Sequence, residues 1–320
     1  MRPSPRAQRT RVRFRSVAWV AETSVDEQLA RELLEKQFAP LPRRSLSLLS
    51  EGWDNVVYRV DDDWVFRFPR RSVVVAGMEN ELAVLPRLCE LLPVAVPVPA
   101  YVGRPDERFP WSFYGARFLP GVESGDAELS DDERVGLARP LARALRVLHG
   151  PATYAAVGAA LPADPMGRAD MPARVSRTRA AIEGVAALGL WRAPPSVETI
   201  LEQALLLPPA EPSAVCHGDL HFRQLLVERG ALSGIIDWVD VCRADPGIDL
   251  QLLWSFFPPA GRAAFLEAYG SVSADSLLRA RVLALFLSAV LARYGRTEGL
   301  VSVEAEALAG LRRALDNRMR

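Results

Sequence analysis

The 320-residue chain carries 39 basic and 39 acidic side chains, so no net charge draws it to nucleic acid or to an anionic membrane. Hydrophobic residues make up 49% and charged residues 24%, which excludes a disordered or fibrous protein and fits a globular one with a large core. The three scattered cysteines, Cys89, Cys216 and Cys242, form no disulfide framework and favour a reducing, cytoplasmic setting.

The chain opens on MRPSPRAQRTRVRFR, which is basic but has no apolar signal-peptide core, so residues 1–22 are expected to be a disordered tail. Ser24 and Glu27 have capping-box spacing and predict a helix that places Leu29, Leu33 and Leu34 on one face. LSLLS, VVYRV and WVFRF follow as short β-branched and aromatic runs, joined by EGWDN and DDD, and predict an antiparallel meander. AGMENELAVLPRLCELL reads as a helix that Pro86 should kink or shorten. The prolines of VPVPAYVG keep that stretch extended, and FYGARFLPG is a strand ending at Pro120 and Gly121.

Beyond Gly121 the pattern turns helical. Ser130 and Glu133 form a second capping box, and Leu137, Leu141, Leu145 and Leu148 make a stripe running to His149, with Pro140 expected to kink it or delay its start. Residues 170–205 read as helices broken at prolines, and QLLV and GIIDW as a hairpin turning at Gly230 and ending at Asp237. Three helical segments are expected to finish the chain. One holds VLALFLSAVLA, residues 282–292, which is too short to cross a bilayer and reads as core. The whole is an α+β, two-lobed plan: a sheet-rich lobe over residues 23–118 and a helical lobe over 119–320.

HGDLHFRQLLV, residues 217–227, concentrates two of the three histidines around one carboxylate. His217 and His221 have the spacing of a zinc-binding helix, but no glutamate stands between them, Gly218 opposes a helix and a strand follows at once. His217 is therefore expected to brace the loop through a backbone hydrogen bond, with His221 close to the site. Phosphoryl transfer accounts for more of the pattern. It needs a carboxylate to take the acceptor proton, oxygen ligands for magnesium, and a basic group on the phosphates aimed by an acid. Arg67 on a strand, Glu81 on the next helix, Asp219 in a loop, Gln224 five residues later and Asp237 after the hairpin supply candidates in that order. The interval from Asp219 to Gln224 matches the kinase loop H-R-D-x-x-x-x-N. Read singly, Arg67 and Glu81 would be a surface ion pair, Asp219 a turn former and Asp237 a strand cap. Asp245 and Asp249 are expected to support the loop, and Cys216, Cys242, Trp254, Phe256 and Phe257 to be core; Asp240 faces either an acceptor pocket or solvent.

HGDLHFRQLLV…GIIDWVDVCRADPGIDL, with GWDNVVYRVDDDWVFRFPR, ENELAVLPRL, RFLPG and LLWSFFPP around it, resembles the aminoglycoside and macrolide phosphotransferase family of protein-kinase-like fold. The resemblance implies a kinase-like pair of lobes, with Asp219 as catalytic base, Gln224 and Asp237 as Mg²⁺ ligands, Arg67 on the phosphates and Glu81 orienting it. It also implies ATP or GTP as donor, bound under the loop from Ser50 through Gly52 to Asn55 and against the backbone from Ala116 through Phe118 to Leu119. The expected acceptor is a small-molecule hydroxyl, an aminoglycoside or macrolide antibiotic before a choline-, homoserine- or sugar-like metabolite, in a monomer or weak dimer. Two positions depart from the family: Gln224 replaces asparagine and Arg67 replaces lysine. A glutamine carbonyl is an equally hard ligand one methylene further out, and arginine binds phosphate as a fork. The macrolide-modifying branch also carries arginine here, which leans the acceptor toward macrolides. If the two substitutions abolish turnover, the chain is a pseudokinase that binds without transfer.

Overall fold

Asp26, not Ser24, starts the first helix: its carboxylate accepts the Leu29 N–H at 2.8 Å, and α1 runs Glu27–Gln37. The expected capping box fails because a stronger acceptor stands two residues nearer the helix. The computed structural model describes residues 21–39, 41, 45–52 and 54–318; the basic segment 1–20 and Trp53 of the expected nucleotide loop lie outside them.

β1 (Leu46–Glu51), β2 (Asn55–Val60) and β3 (Trp64–Pro69) form the expected meander, followed by α2 (Val75–Leu91), β4 (Pro99–Gly103) and β5 (Phe113–Arg117). The five strands make one antiparallel sheet in the order β1-β2-β3-β5-β4. Phe66 and Phe68, with Phe109 and Phe113, fill its core and send Arg67 to the opposite face, as strand alternation requires. Pro86 does not end α2, which runs on to Leu91, because Met78, Val84, Leu85 and Leu88 bury its inner face.

The helical lobe begins with β6 (Val122–Glu123) and α3 (Asp131–Leu148), where the Ser130–Glu133 capping box forms as expected. Pro140 sits inside α3 without delaying it. The full burial of Leu137, Leu141, Leu145 and Leu148 offsets the ~3 kcal/mol that an interior proline costs. α4 (Pro151–Val157), α5 (Met171–Ala187), α6 (Ser196–Leu205), β7 (Ala214–Cys216), β8 (Leu225–Glu228), β9 (Ala231–Ile235) and β10 (Cys242–Ala244) follow. The chain then ends in four helices rather than three: α7 (Leu252–Ser255), α8 (Pro259–Tyr269), α9 (Ala274–Glu298) and α10 (Val301–Leu315). Pro258 and Pro259 separate a short α7 from α8, and Gly270 and Gly299, at φ 102° and 70°, stop α8 and α9.

β6, β8 and β9 form a small antiparallel sheet that meets the other lobe where the Ile235 N–H donates to the Ala95 carbonyl at 3.0 Å. The 282–292 run lies within α9, largely buried, and no helix among the described residues is long and apolar enough to cross a membrane. Cys216, Cys242, Trp254, Phe256 and Phe257 are core, as expected.

Candidate functional site

Arg67 stands at the centre of one half of the site. Its Nη1 is 2.8 Å from Glu81 Oε1 on α2, and its Nη2 is 2.6 Å from Asp237 Oδ1 beyond β9. Nη1 also lies 3.3 Å from the Tyr114 hydroxyl of β5, and Glu81 Oε1 accepts the Trp238 N–H at 2.9 Å. Burial alone would lower the Arg67 guanidinium, but Glu81, Tyr114 and Asp237 outweigh it and hold its charge firmly in place. Burial pushes Glu81 up to about 7, against the pull of Arg67. A guanidinium forked between two acids in this way is aimed by the buried one, and it neutralises the more exposed one, Asp237.

Asp237 does not end a strand, as GIIDW suggested: β9 stops at Ile235 and Asp237 stands at φ 67°. That left-handed conformation cannot continue a ladder and costs a non-glycine residue on the order of 1 kcal/mol. Such strain gathers where a carboxylate must be placed rather than where a chain simply turns.

The catalytic-loop candidate is fastened from behind. One buried carboxylate, Asp249, accepts the His217 N–H at 2.7 Å, the Gly218 N–H at 3.0 Å and a ring contact from His149 Nε2 at 3.0 Å. His217 Nε2 meets the Ile236 carbonyl at 3.0 Å, so its ring braces the loop, as expected, and is not free for zinc. His149, Cys216 and Asp249 do converge, with ligand atoms within 4.8 Å, but Asp249 is already saturated by those donors. Asp245 caps the turn at Gly247 at 2.7 Å and meets Arg279 at 3.4 Å, a supporting role. Gly218 is required at its place: φ is 93°, and an added Cβ would stand 2.1 Å from the Asp240 carbonyl oxygen. Gly218→Ala is expected to destabilise the protein by about 1–3 kcal/mol, or more if the loop cannot yield, with a lower midpoint in chemical denaturation.

Asp219 projects from this loop, its Oδ1 3.2 Å from Arg168 Nη2 and its Oδ2 3.7 Å from His221 Nε2. Arg168 Nη2 also reaches Asp240 Oδ2 at 2.7 Å, so Asp240 turns inward to this cluster. Burial raises Asp219, yet Arg168 and the two histidines outweigh it and hold the carboxyl below its ordinary range. Burial pushes His221 itself down to about 4, so its ring is neutral at neutral pH and Arg168 is the standing positive charge beside Asp219. An ionised, half-buried carboxylate on a braced loop can take a proton from a bound hydroxyl.

Gln224 closes a 3₁₀ turn, Phe222–Gln224, and its carbonyl accepts the Ile236 N–H at 3.0 Å, which ties it to the chain entering Asp237. Its side chain is buried, yet Oε1 has no hydrogen-bond partner among the described residues. An orphaned, buried carbonyl oxygen is costly unless a cation or donor meets it, so Gln224 and the exposed carboxylate of Asp237 suit a hard divalent ion.

No hydrogen bond among the described residues joins the remaining candidates to this network. Ser50 pairs with Val57 in the sheet, the Gly52 N–H donates to the Asn55 carbonyl at 2.9 Å, and Arg70 Nη1 donates to the Gly52 carbonyl at 2.5 Å. Asn55 is buried with Oδ1 unpartnered. Ala116 is buried in β5 between Val65 and Pro99, while the Phe118 N–H is taken by the Asp63 carbonyl at 2.7 Å. Sequence reasoning missed Tyr114, His149 and Arg168. His149 ended a noticed leucine stripe; Arg168, in a loop between helices, carried no motif.

The family model described as the phosphotransferase enzyme family matches residues 45–283. No curated protein matches. Among solved structures, the GDP and kanamycin complex of APH(2")-IIIa is 23% identical, with 89% of this chain and 97% of that one covered at a TM-score of 0.66. Macrolide 2'-phosphotransferase type I is 24% identical over 90% of this chain and 98% of that one, at 0.60. The streptomycin–ATP–APH(2")-IIa ternary complex is 20% identical over 89% and 97%, at 0.54. The shared feature is the two-lobed, protein-kinase-like fold.

Proposed function

The chain belongs to the phosphotransferase enzyme family, and from that premise we propose that it moves the γ-phosphate of ATP or GTP to a hydroxyl of an aminoglycoside or macrolide antibiotic, with Mg²⁺ as cofactor. The observation that carries this reading is the set formed by a half-buried, ionised Asp219, an orphaned Gln224 oxygen and the Glu81–Arg67–Asp237 chain, with His221 close to both Asp219 and Asp237. Solved relatives crystallise with GDP or ATP and with kanamycin or streptomycin, and others act on macrolides, which supports both donors and both acceptor classes.

In this scheme the acceptor hydroxyl lies against Asp219, which orients it and takes its proton as the new P–O bond forms and the bond from the γ-phosphorus to the bridging oxygen breaks, with ADP or GDP leaving. Arg67 gives its guanidinium to the α/β-phosphates, held at the right angle by Glu81 and Tyr114. Gln224 Oε1 and the Asp237 carboxylate would hold Mg²⁺, which when bound neutralises charge on the phosphates. Positioning and charge neutralisation are what a loose phosphoryl-transfer transition state needs from a protein.

Transfer of labelled γ-phosphate to a panel of aminoglycosides, macrolides and simple metabolic alcohols tests the acceptor. A labelled antibiotic is the expected product; label on a metabolic alcohol alone would overturn the antibiotic assignment. Gln224→Asn is expected to leave turnover of the same order, since both side chains offer a carbonyl oxygen. A large gain from near-zero activity would mean that the natural chain is a pseudokinase.

A further inference from the structure

We propose that Arg168 is a positioning residue of the phosphotransfer site, which holds the Asp219 carboxylate through a guanidinium nitrogen shared with Asp240. The proposal rests on the functional reading above only for its kinetic consequence; the ion cluster itself stands on geometry.

Arg168 is delivered by a loop with its own anchors. Asp164 accepts the Arg168 N–H on one oxygen and the Ala169 N–H on the other, both at 2.8 Å, and the Asp164 N–H donates to the Arg243 carbonyl of β10 at 2.8 Å. The backbone is thus pinned to the strand that follows the Asp237 segment. From it the side chain crosses to two acids from separate positions on the site, Asp219 at 3.2 Å and Asp240 at 2.7 Å, both through Nη2. Nη1 is buried and has no hydrogen-bond partner among the described residues.

The charges around this cluster explain what the arginine does. Asp219 faces Arg168, His221 and His217; Asp240 faces Arg168, Asp219 and Asp237. Arg174 lies near Arg168 and Asp219 but has no hydrogen bond to either acid among the described residues. With His221 neutral and the His217 ring spent on the Ile236 carbonyl, two half-buried carboxylates share the Arg168 guanidinium. Without it, burial and mutual repulsion favour a proton on one of them. A protonated Asp219 cannot accept the hydroxyl proton, and an unanchored one loses its aim.

A stability cycle decides the interaction without any need for turnover. In the natural background Asp219 lies below its ordinary value, so its charge contributes stability that is fully present above that value and is lost as pH falls through the folded one. In Arg168→Gln the folded value rises above the ordinary one, and the sign inverts: at neutral pH the Asp219 charge now destabilises. Denaturant unfolding at pH 7 is therefore expected to show Asp219→Asn lowering the midpoint in the natural protein and raising it in Arg168→Gln. The same shift in both backgrounds would overturn the proposal.

The kinetic counterpart is a pH profile. Arg168→Gln is expected to raise the acid limb of kcat/KM by about one to three pH units, the effect of a paired opposite charge on a carboxylate. It should also lower kcat by about 10²-fold through misplacement of the base, with nucleotide KM little changed. Adding Asp240→Asn removes the like charge and should bring the limb part of the way back; a superimposable profile for Arg168→Gln would overturn the assignment. Should that variant fail to fold, Arg168→Lys is read in the same way, with a smaller shift in the same direction. If the natural protein transfers no phosphate at all, the functional reading falls, and the unfolding cycle still decides the role of Arg168 toward Asp219.

Discussion

Asp219→Asn is expected to lower turnover by about 10²–10⁴-fold, the range associated with removing a positioned general base. Asparagine keeps the shape of the side chain, and the loop carrying it is held by Asp249, His149 and His217, none of which touches the replaced oxygens. Arg168 keeps its shorter contact to Asp240. Nucleotide affinity should therefore stay close to that of the natural protein while kcat collapses. A parallel loss of both would show that Asp219 supports binding rather than proton transfer. Steady-state kinetics with nucleotide titration separates the two.

Asp237→Asn is expected to cost about 10²–10³-fold in turnover and, at the same time, to strengthen nucleotide binding in the absence of Mg²⁺. The second effect follows from the 2.6 Å contact between Asp237 and Arg67. That pair neutralises the guanidinium proposed to bind phosphate, so a neutral side chain at 237 releases it. Asparagine tolerates the left-handed φ of 67° that this position demands, which keeps the substitution from acting through the fold. Isothermal titration with nucleotide, with and without Mg²⁺, reads both halves. Weaker binding under both conditions would argue against the competition described here.

The sequence made the placement of Arg67 and Glu81 legible because each sat on a strongly patterned element. Arg67 followed from a strand whose alternating Phe66 and Phe68 fixed its face, and Glu81 from a helix whose apolar stripe fixed which side turned inward. Asp219 and Gln224 followed from loop spacing. What escaped was long-range. Asp26 displaced Ser24 as a cap because side-chain geometry, not spacing, decides between adjacent acceptors. The two internal prolines left α2 and α3 intact because tertiary burial outweighed a local penalty that the sequence displays and burial does not. Arg168 is 51 residues from Asp219 in a loop without periodicity, so only the folded chain shows that they meet.

Calorimetric titration of the natural protein with ATP and with GTP, across a Mg²⁺ series, tests the nucleotide site at its root. Binding of at least one nucleotide that tightens with Mg²⁺ is the expected result, because in the proposed scheme Asp237 would hold Mg²⁺ and leave the Arg67 guanidinium to the phosphates. An absence of binding by either nucleotide at saturating Mg²⁺ would contradict the phosphotransferase reading of the whole cleft.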